Sequence, residues 1–103
     1  MFVEQKSDLT MNIFTRTITD KNGNHLYLTS KEFDLFYFLY SYREQVFTKE
    51  QLYENVWGYD YAPDAKNLIS FIRKLRKKIE PDPDKPQYII TVWGVGYKFA
   101  KDI

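Results

Sequence analysis

Residues 65–79 hold six of the chain's fifteen lysines and arginines and no acid: Lys66, Arg73, Lys74, Arg76, Lys77 and Lys78. Cations clustered without an opposing carboxylate suit anion binding better than acid–base chemistry. Asn67 and Ser70 lie among them and add hydrogen-bonding groups. Leu68, Ile72, Leu75 and Ile79 recur three and four apart, so at about 100° per residue they share one narrow helical face. Lys66, Ser70, Arg73 and Lys77 fall opposite, with Asn67 and Lys74 beside them. Such a helix is anchored along one stripe and presents a cationic stripe outward. The major groove of B-DNA, about 12 Å wide, admits one helix; there Arg and Lys reach guanine edges or phosphates, and Asn reads adenine. A solvated lysine-rich face is the plain alternative, so the surrounding elements must decide.

Residues 8–28 read as short antiparallel strands: 9–13 alternates, 14–19 is rich in β-branched residues, and 25–28 returns after the turn cluster 20–24. Asn22-Gly23 supplies the positive φ of a tight hairpin. Thr29-Ser30-Lys31-Glu32 is a capping box opening a helix over 30–42, with Phe33, Phe36, Tyr37 and Tyr40 on its inner stripe. Thr48-Lys49-Glu50-Gln51 is a second box, opening a helix over 48–56 that carries Leu52 and Val56 and ends at Gly58. Residues 57–64 form a loop before the basic helix. Pro81, Pro83 and Pro86 make a stiff connector, and 88–101 is a hairpin turning at Trp93-Gly94-Val95-Gly96. A helix-turn-helix pair followed by a hairpin is the winged-helix plan, one helix in the major groove and the wing against the adjacent backbone or minor groove.

The bulk properties bound this expectation. At 103 residues, 44% hydrophobic and 18% aromatic, the chain makes one domain with one core. It has no cysteine, so no disulfide framework, thiol nucleophile or cysteine metal site is expected. Asp82 and Asp84 lack the spacing of a calcium loop. No nucleophile–base pair or glycine-rich phosphate loop occurs, which points away from an enzyme and from any cofactor or metal. No apolar run approaches the ~18 residues of a membrane span and no signal segment opens the sequence, so a cytoplasmic protein without membrane contact is expected. The net charge of +1 is a cancellation: the basic helix carries +6 and everything else −5, from nine bases and fourteen acids.

These residues also resemble a known family. Leu28-Thr29-Ser30-Lys31-Glu32-Phe33-Asp34-Leu35 is similar to the L-T-x-x-E-F-x-L opening of the OmpR/PhoB response-regulator effector domain. Val56-Trp57-Gly58, Leu75-Arg76-Lys77-Lys78-Ile79 and residues 91–99 resemble its later segments, the last being its T-V-R-G-x-G-Y-x-F wing. The resemblance implies an α+β winged helix-turn-helix with an N-terminal antiparallel four-stranded sheet, three helices and a C-terminal hairpin wing. It implies binding of double-stranded DNA at promoter direct repeats as a head-to-tail dimer, and transcriptional regulation as the output half of a two-component system. The receiver domain, phosphorylated by a sensor histidine kinase, is absent from these 103 residues. Groove contacts would fall on Lys66, Asn67, Ser70, Arg73 and Lys74, backbone contacts on Arg76 or Lys77, and wing contacts on Thr91 and Trp93; the hairpin's own basic residue, Lys98, adds a further expected DNA contact. The loop that in the family touches RNA polymerase corresponds to Trp57 through Asp64, including Tyr59, Asp60 and Tyr61.

The chain also departs from the pattern. Where the family's helix reads R-T-V-D-V-H-I, this one has Ile69 for the acid and Phe71 for the histidine, and Trp93 stands where many members carry arginine. Those apolar residues keep two alternatives open, a winged helix that binds protein and one that binds RNA by stacking bases.

Overall fold

The computed structural model describes residues 9–58 and 67–100, together with the backbone but not the side chains of Ala65 and Lys66. β1 (Leu9–Asn12), β2 (Thr17–Asp20) and β3 (His25–Leu26) form an antiparallel sheet in that order. α1 (Ser30–Ser41) follows, then β4 (Phe47–Thr48), α2 (Lys49–Leu52) with a π-helical turn over Tyr53–Trp57, α3 (Ala65–Ile79), β5 (Ile89–Val92) and β6 (Gly96–Phe99). The second sheet has the order β4-β6-β5. This is an α+β winged helix.

Both capping boxes form. Thr29 and Glu32 exchange backbone and side-chain hydrogen bonds at the start of α1, and Thr48 and Gln51 do the same at α2. The apolar stripe of α3 is buried as its spacing requires, with Leu68, Ile72, Leu75 and Ile79 all in the core. They meet Phe33, Leu35, Phe36 and Leu39 of α1, Leu52 and Val56, and the sheet residues Ile18, Ile89 and Phe99. Aromatic edges close the centre: the Phe99 ring lies 5.3 Å from Phe36 and 5.4 Å from Tyr40, both edge to face.

Several elements differ from the sequence expectation. The strand over 14–19 begins only at Thr17, because the Asn12 side chain accepts the N–H groups of Phe14 and Thr15 and nucleates a turn over 13–16. Arg16 leaves that turn at φ +56°, pairs with Asp34 at 2.7 Å and lies over the Phe33 ring, tying the first sheet to α1. The return strand stops at Leu26 instead of 28, where its pairing with β2 ends. The N-terminal sheet has three strands among the described residues, against the four expected, and residues 1–8 lie outside them. The helix over 48–56 is α-helical only to Leu52, then widens to a π turn closed by Gly58 N–H to Tyr53 O at 2.9 Å. Gly58 ends it at φ +86°. The wing is a three-stranded sheet, since β4 pairs with β6 at Phe47↔Tyr97 and Thr48↔Gly96.

That pairing separates the roles of the two wing glycines. Gly94 sits at φ +79° with open space around it and serves the turn. Gly96 has no positive φ, but a Cβ there would overlap the Phe47 carbonyl oxygen. Gly96→Ala should therefore cost about 2–4 kcal/mol by forcing β4 off β6, while Gly94→Ala should cost about 1–2 kcal/mol in left-handed backbone strain. Urea unfolding of the two variants checks this order.

Glu32 is 3% exposed and joins two helices: it caps α1 and accepts from Lys78 Nζ of α3 at 2.6 Å. Burial pushes its pKa up, but the bonds from Lys78 and from the Thr29 backbone outweigh this and hold it below the ordinary 4.5. A depressed carboxyl pKa stabilises the fold above the unfolded value, and that stabilisation disappears as pH falls through the folded value. Glu32→Gln, which retains the cap and loses the charge, should flatten the acid limb of stability below the ordinary 4.5. Glu32→Ala should cost about 2 kcal/mol at neutral pH. Thermal melts across pH 3–7 measure both.

Candidate nucleic-acid interface

α3 is held on three sides and open on the fourth. Its apolar stripe faces the core. On one flank Phe71 packs edge to face on Trp57 at 5.1 Å, and Lys78 reaches Glu32. On the other flank Arg76 donates from Nε and Nη2 to Ile89 O at 3.2 and 2.9 Å, and from Nη2 to Thr91 Oγ1 at 2.8 Å. Its guanidinium also lies 5.8 Å from the Tyr97 ring. Burial lowers the Arg76 pKa against the weaker opposing pull of Tyr97 and Glu80, yet an arginine remains charged.

The open side carries Asn67, Ser70, Arg73, Lys74 and Lys77, all exposed. The Lys66 side chain lies outside the described residues, as do Tyr59, Asp60 and Tyr61 of the expected partner loop. Trp57, the described end of that loop, is half-buried between Tyr53 and Phe71.

The five described basic side chains of the helix thus divide by role. Lys78 and Arg76 are bonded into the fold, and Arg73, Lys74 and Lys77 face water. Thr91, one of the expected wing contacts, is the acceptor for Arg76. Trp93 stands at the wing tip, 88% exposed, next to the cleft between the wing and α3. Lys98 pairs with Ile90 at mid-strand, and alternation puts it on the opposite face of β6 from Tyr97, which lines that cleft.

Sequence reasoning missed Glu80. It is buried just past the end of α3, and its carboxylate accepts the N–H groups of Gln87 at 2.6 Å, Tyr88 at 3.0 Å and Ile89 at 2.9 Å. This clip spans the proline connector and sets where β5 leaves α3. An acid at a helix C-terminus opposes the macrodipole, and that mismatch was the available signal.

A cationic helix face beside a projecting β-hairpin, on a three-helix core, defines a winged-helix domain. The comparisons give its family. The description "Transcriptional regulatory protein, C terminal" matches residues 23–99, and the chain belongs to that family, as a winged-helix effector domain of the OmpR/PhoB response-regulator type. That family is a class of DNA-binding transcription regulators rather than of enzymes. Over 81 residues the chain is 48% identical to YcbL, an uncharacterized transcriptional regulatory protein of Bacillus subtilis (strain 168), covering 79% of this chain and 36% of that protein. The chain therefore spans little more than a third of that relative's length.

Among solved structures it is similar to response regulator DrrB of Thermotoga maritima, an OmpR/PhoB homolog, with TM-score 0.83 and 35% identity over 92% of this chain and 42% of that one. It is also similar to the DNA-binding domain of Klebsiella pneumoniae RstA, solved in complex with the RstA box, with TM-score 0.80 and 28% identity over 91% and 92% of the two chains.

The clamp makes Arg76 a positioning residue for the wing. Arg76→Lys loses the forked bond to Ile89 O and Thr91 and should cost about 1–2 kcal/mol, with faster amide exchange in β5. Lys77→Ala, one residue further on and exposed, should stay within about 0.5 kcal/mol of wild type. Denaturation with hydrogen exchange distinguishes them.

Proposed function

We propose that this domain binds double-stranded DNA sequence-specifically, with α3 in the major groove and the wing in the adjacent minor groove, and regulates transcription as the output half of a two-component system. The observation that carries this reading is the single-signed outward face of α3: Asn67, Ser70, Arg73, Lys74 and Lys77 are exposed together, away from the buried stripe of Leu68, Ile72, Leu75 and Ile79. An excess of positive charge on one helix of a near-neutral chain orients it on a polyanion. The RstA domain, of similar fold, was solved in complex with the RstA box.

In this reading Lys66, Asn67, Ser70, Arg73 and Lys74 face base edges, and Lys77 takes a phosphate. Arg76 and Thr91 act through the wing's position. Trp93 supplies the wing's own contact, and Lys98 adds charge from the far face of β6. Two copies bind head to tail on promoter direct repeats in the cytoplasm. The loop from Trp57 through Tyr59, Asp60 and Tyr61 meets RNA polymerase. A receiver domain outside these residues takes its signal from a sensor histidine kinase. No cofactor or metal is invoked, and no helix among the described residues is long and apolar enough to cross a membrane.

A second reading has one observation in its favour. Ile69 and Val95 are about half exposed beside Trp93, and such an apolar patch fits a protein partner. Salt dependence separates the two. Contact with about five phosphates gives a log–log slope near −4 to −5, while an apolar protein interface barely responds. Arg73→Ala should weaken a selected duplex by about 1–3 kcal/mol at matched salt with the melting temperature unchanged. Unaltered affinity in both Arg73→Ala and Lys74→Ala would remove α3 from the groove.

A further inference from the structure

The cleft between α3 and the wing, about 520 Å³, is walled by Leu68, Ile69, Val92, Trp93, Val95 and Tyr97. Among the described residues its charged lining is Lys49 and Glu50, one of each sign. Its outer lip is apolar, with Ile69 51%, Val95 52% and Trp93 88% exposed. The indole is displayed on a stiff mount. Val95 N–H bonds to Val92 O at 2.9 Å, β6 is paired on both sides, and Arg76 pins β5 to α3. The backbone at Trp93 is therefore held at a set position relative to the cationic face, and the ring appears in none of the aromatic pairs found among the described residues.

Resting on the DNA-binding reading above, we propose that Trp93 is an uncharged minor-groove reader that discriminates by the guanine 2-amino group. With α3 in the major groove, one sugar–phosphate strand lies between helix and wing, against the apolar lip of Ile69 and Val95. The indole then reaches the next groove, about 6 Å wide, which takes a flat ring edge-on. An A·T floor presents only acceptors there, N3 and O2, which match the donor-only indole N–H. A G·C floor adds the 2-amino donor, which meets the indole with a steric block and a donor facing a donor. The wing thus selects A·T pairs without contributing an ion pair.

The test uses the whole chain and a duplex selected from a random pool at fixed salt. At the pairs flanking the major-groove site, A·T is replaced by G·C or by inosine·C, which differ from each other only in the 2-amino group. G·C should weaken wild-type binding about five- to tenfold relative to inosine·C. Trp93→Ala should bind both alike, with an unchanged salt slope, and Trp93→Arg should steepen that slope by about one. Wild type indifferent to the 2-amino group, or discrimination surviving in Trp93→Ala, overturns the inference while DNA binding stands. So does a Trp93→Ala variant that binds one repeat normally but loses cooperativity on two, because the indole then meets a second copy of the chain. Failure to select any duplex overturns the DNA reading itself, and this inference with it.

Discussion

α3 has to be immobile along its length and yet bare on one face, and the rest of the domain is arranged around that constraint. Its apolar stripe alone leaves the helix free to roll, because four side chains in a row define an axis better than an angle. Polar clamps on both flanks remove that freedom: Lys78 to Glu32 on one side and Arg76 to β5 on the other. Glu80 then clips the chain just past the helix end. Each clamp uses a charged group partly or wholly out of water, where such bonds are strong and an unpaired partner is costly. The cost confines the helix to one rotation, the one that leaves Ser70, Arg73 and Lys77 pointing outward.

The same clamps couple parts of the molecule that are distant in sequence. Glu32 belongs to the capping box of α1, so the start of the first helix and the end of the third share one carboxylate. Arg76 joins α3 to the wing, and β4 joins the wing to the start of α2 through the close approach of Phe47 and Gly96. Helix and wing therefore keep a set spacing. The reading proposed above, with α3 and the wing in adjacent grooves, requires this, because an error of a few ångströms between them would forfeit one set of contacts.

Much of this was legible in the residues, and the reasons are local. The two capping boxes work over three positions, the α3 stripe over its own 15 residues, and Asn22-Gly23 over a single turn. The outward face of α3 follows from the same periodicity that buries its stripe. The illegible parts share a different property. β4 is two residues long and exists only because β6, about fifty residues later, pairs with it. Asn12 ended a strand of strong β propensity by capturing two N–H groups, a local competitor that propensity does not weigh. The π turn over Tyr53–Trp57 has no marker in its composition.

Residue types and spacing by themselves determined the helices, the wing hairpin, the buried stripe of α3 and the segregation of positive charge onto its outer face. Periodicity and capping depend on neighbours within a turn or two, so a chain read in isolation already contains them. Tertiary structure alone decided which cations are bonded into the fold and which face water. Arg76 and Lys78 look like Arg73 and Lys77 in sequence, and only the positions of Ile89, Thr91 and Glu32 convert them from surface charge into clamps. Partners separated by 13 to 46 residues meet through the path of the whole chain, and no local pattern encodes that path.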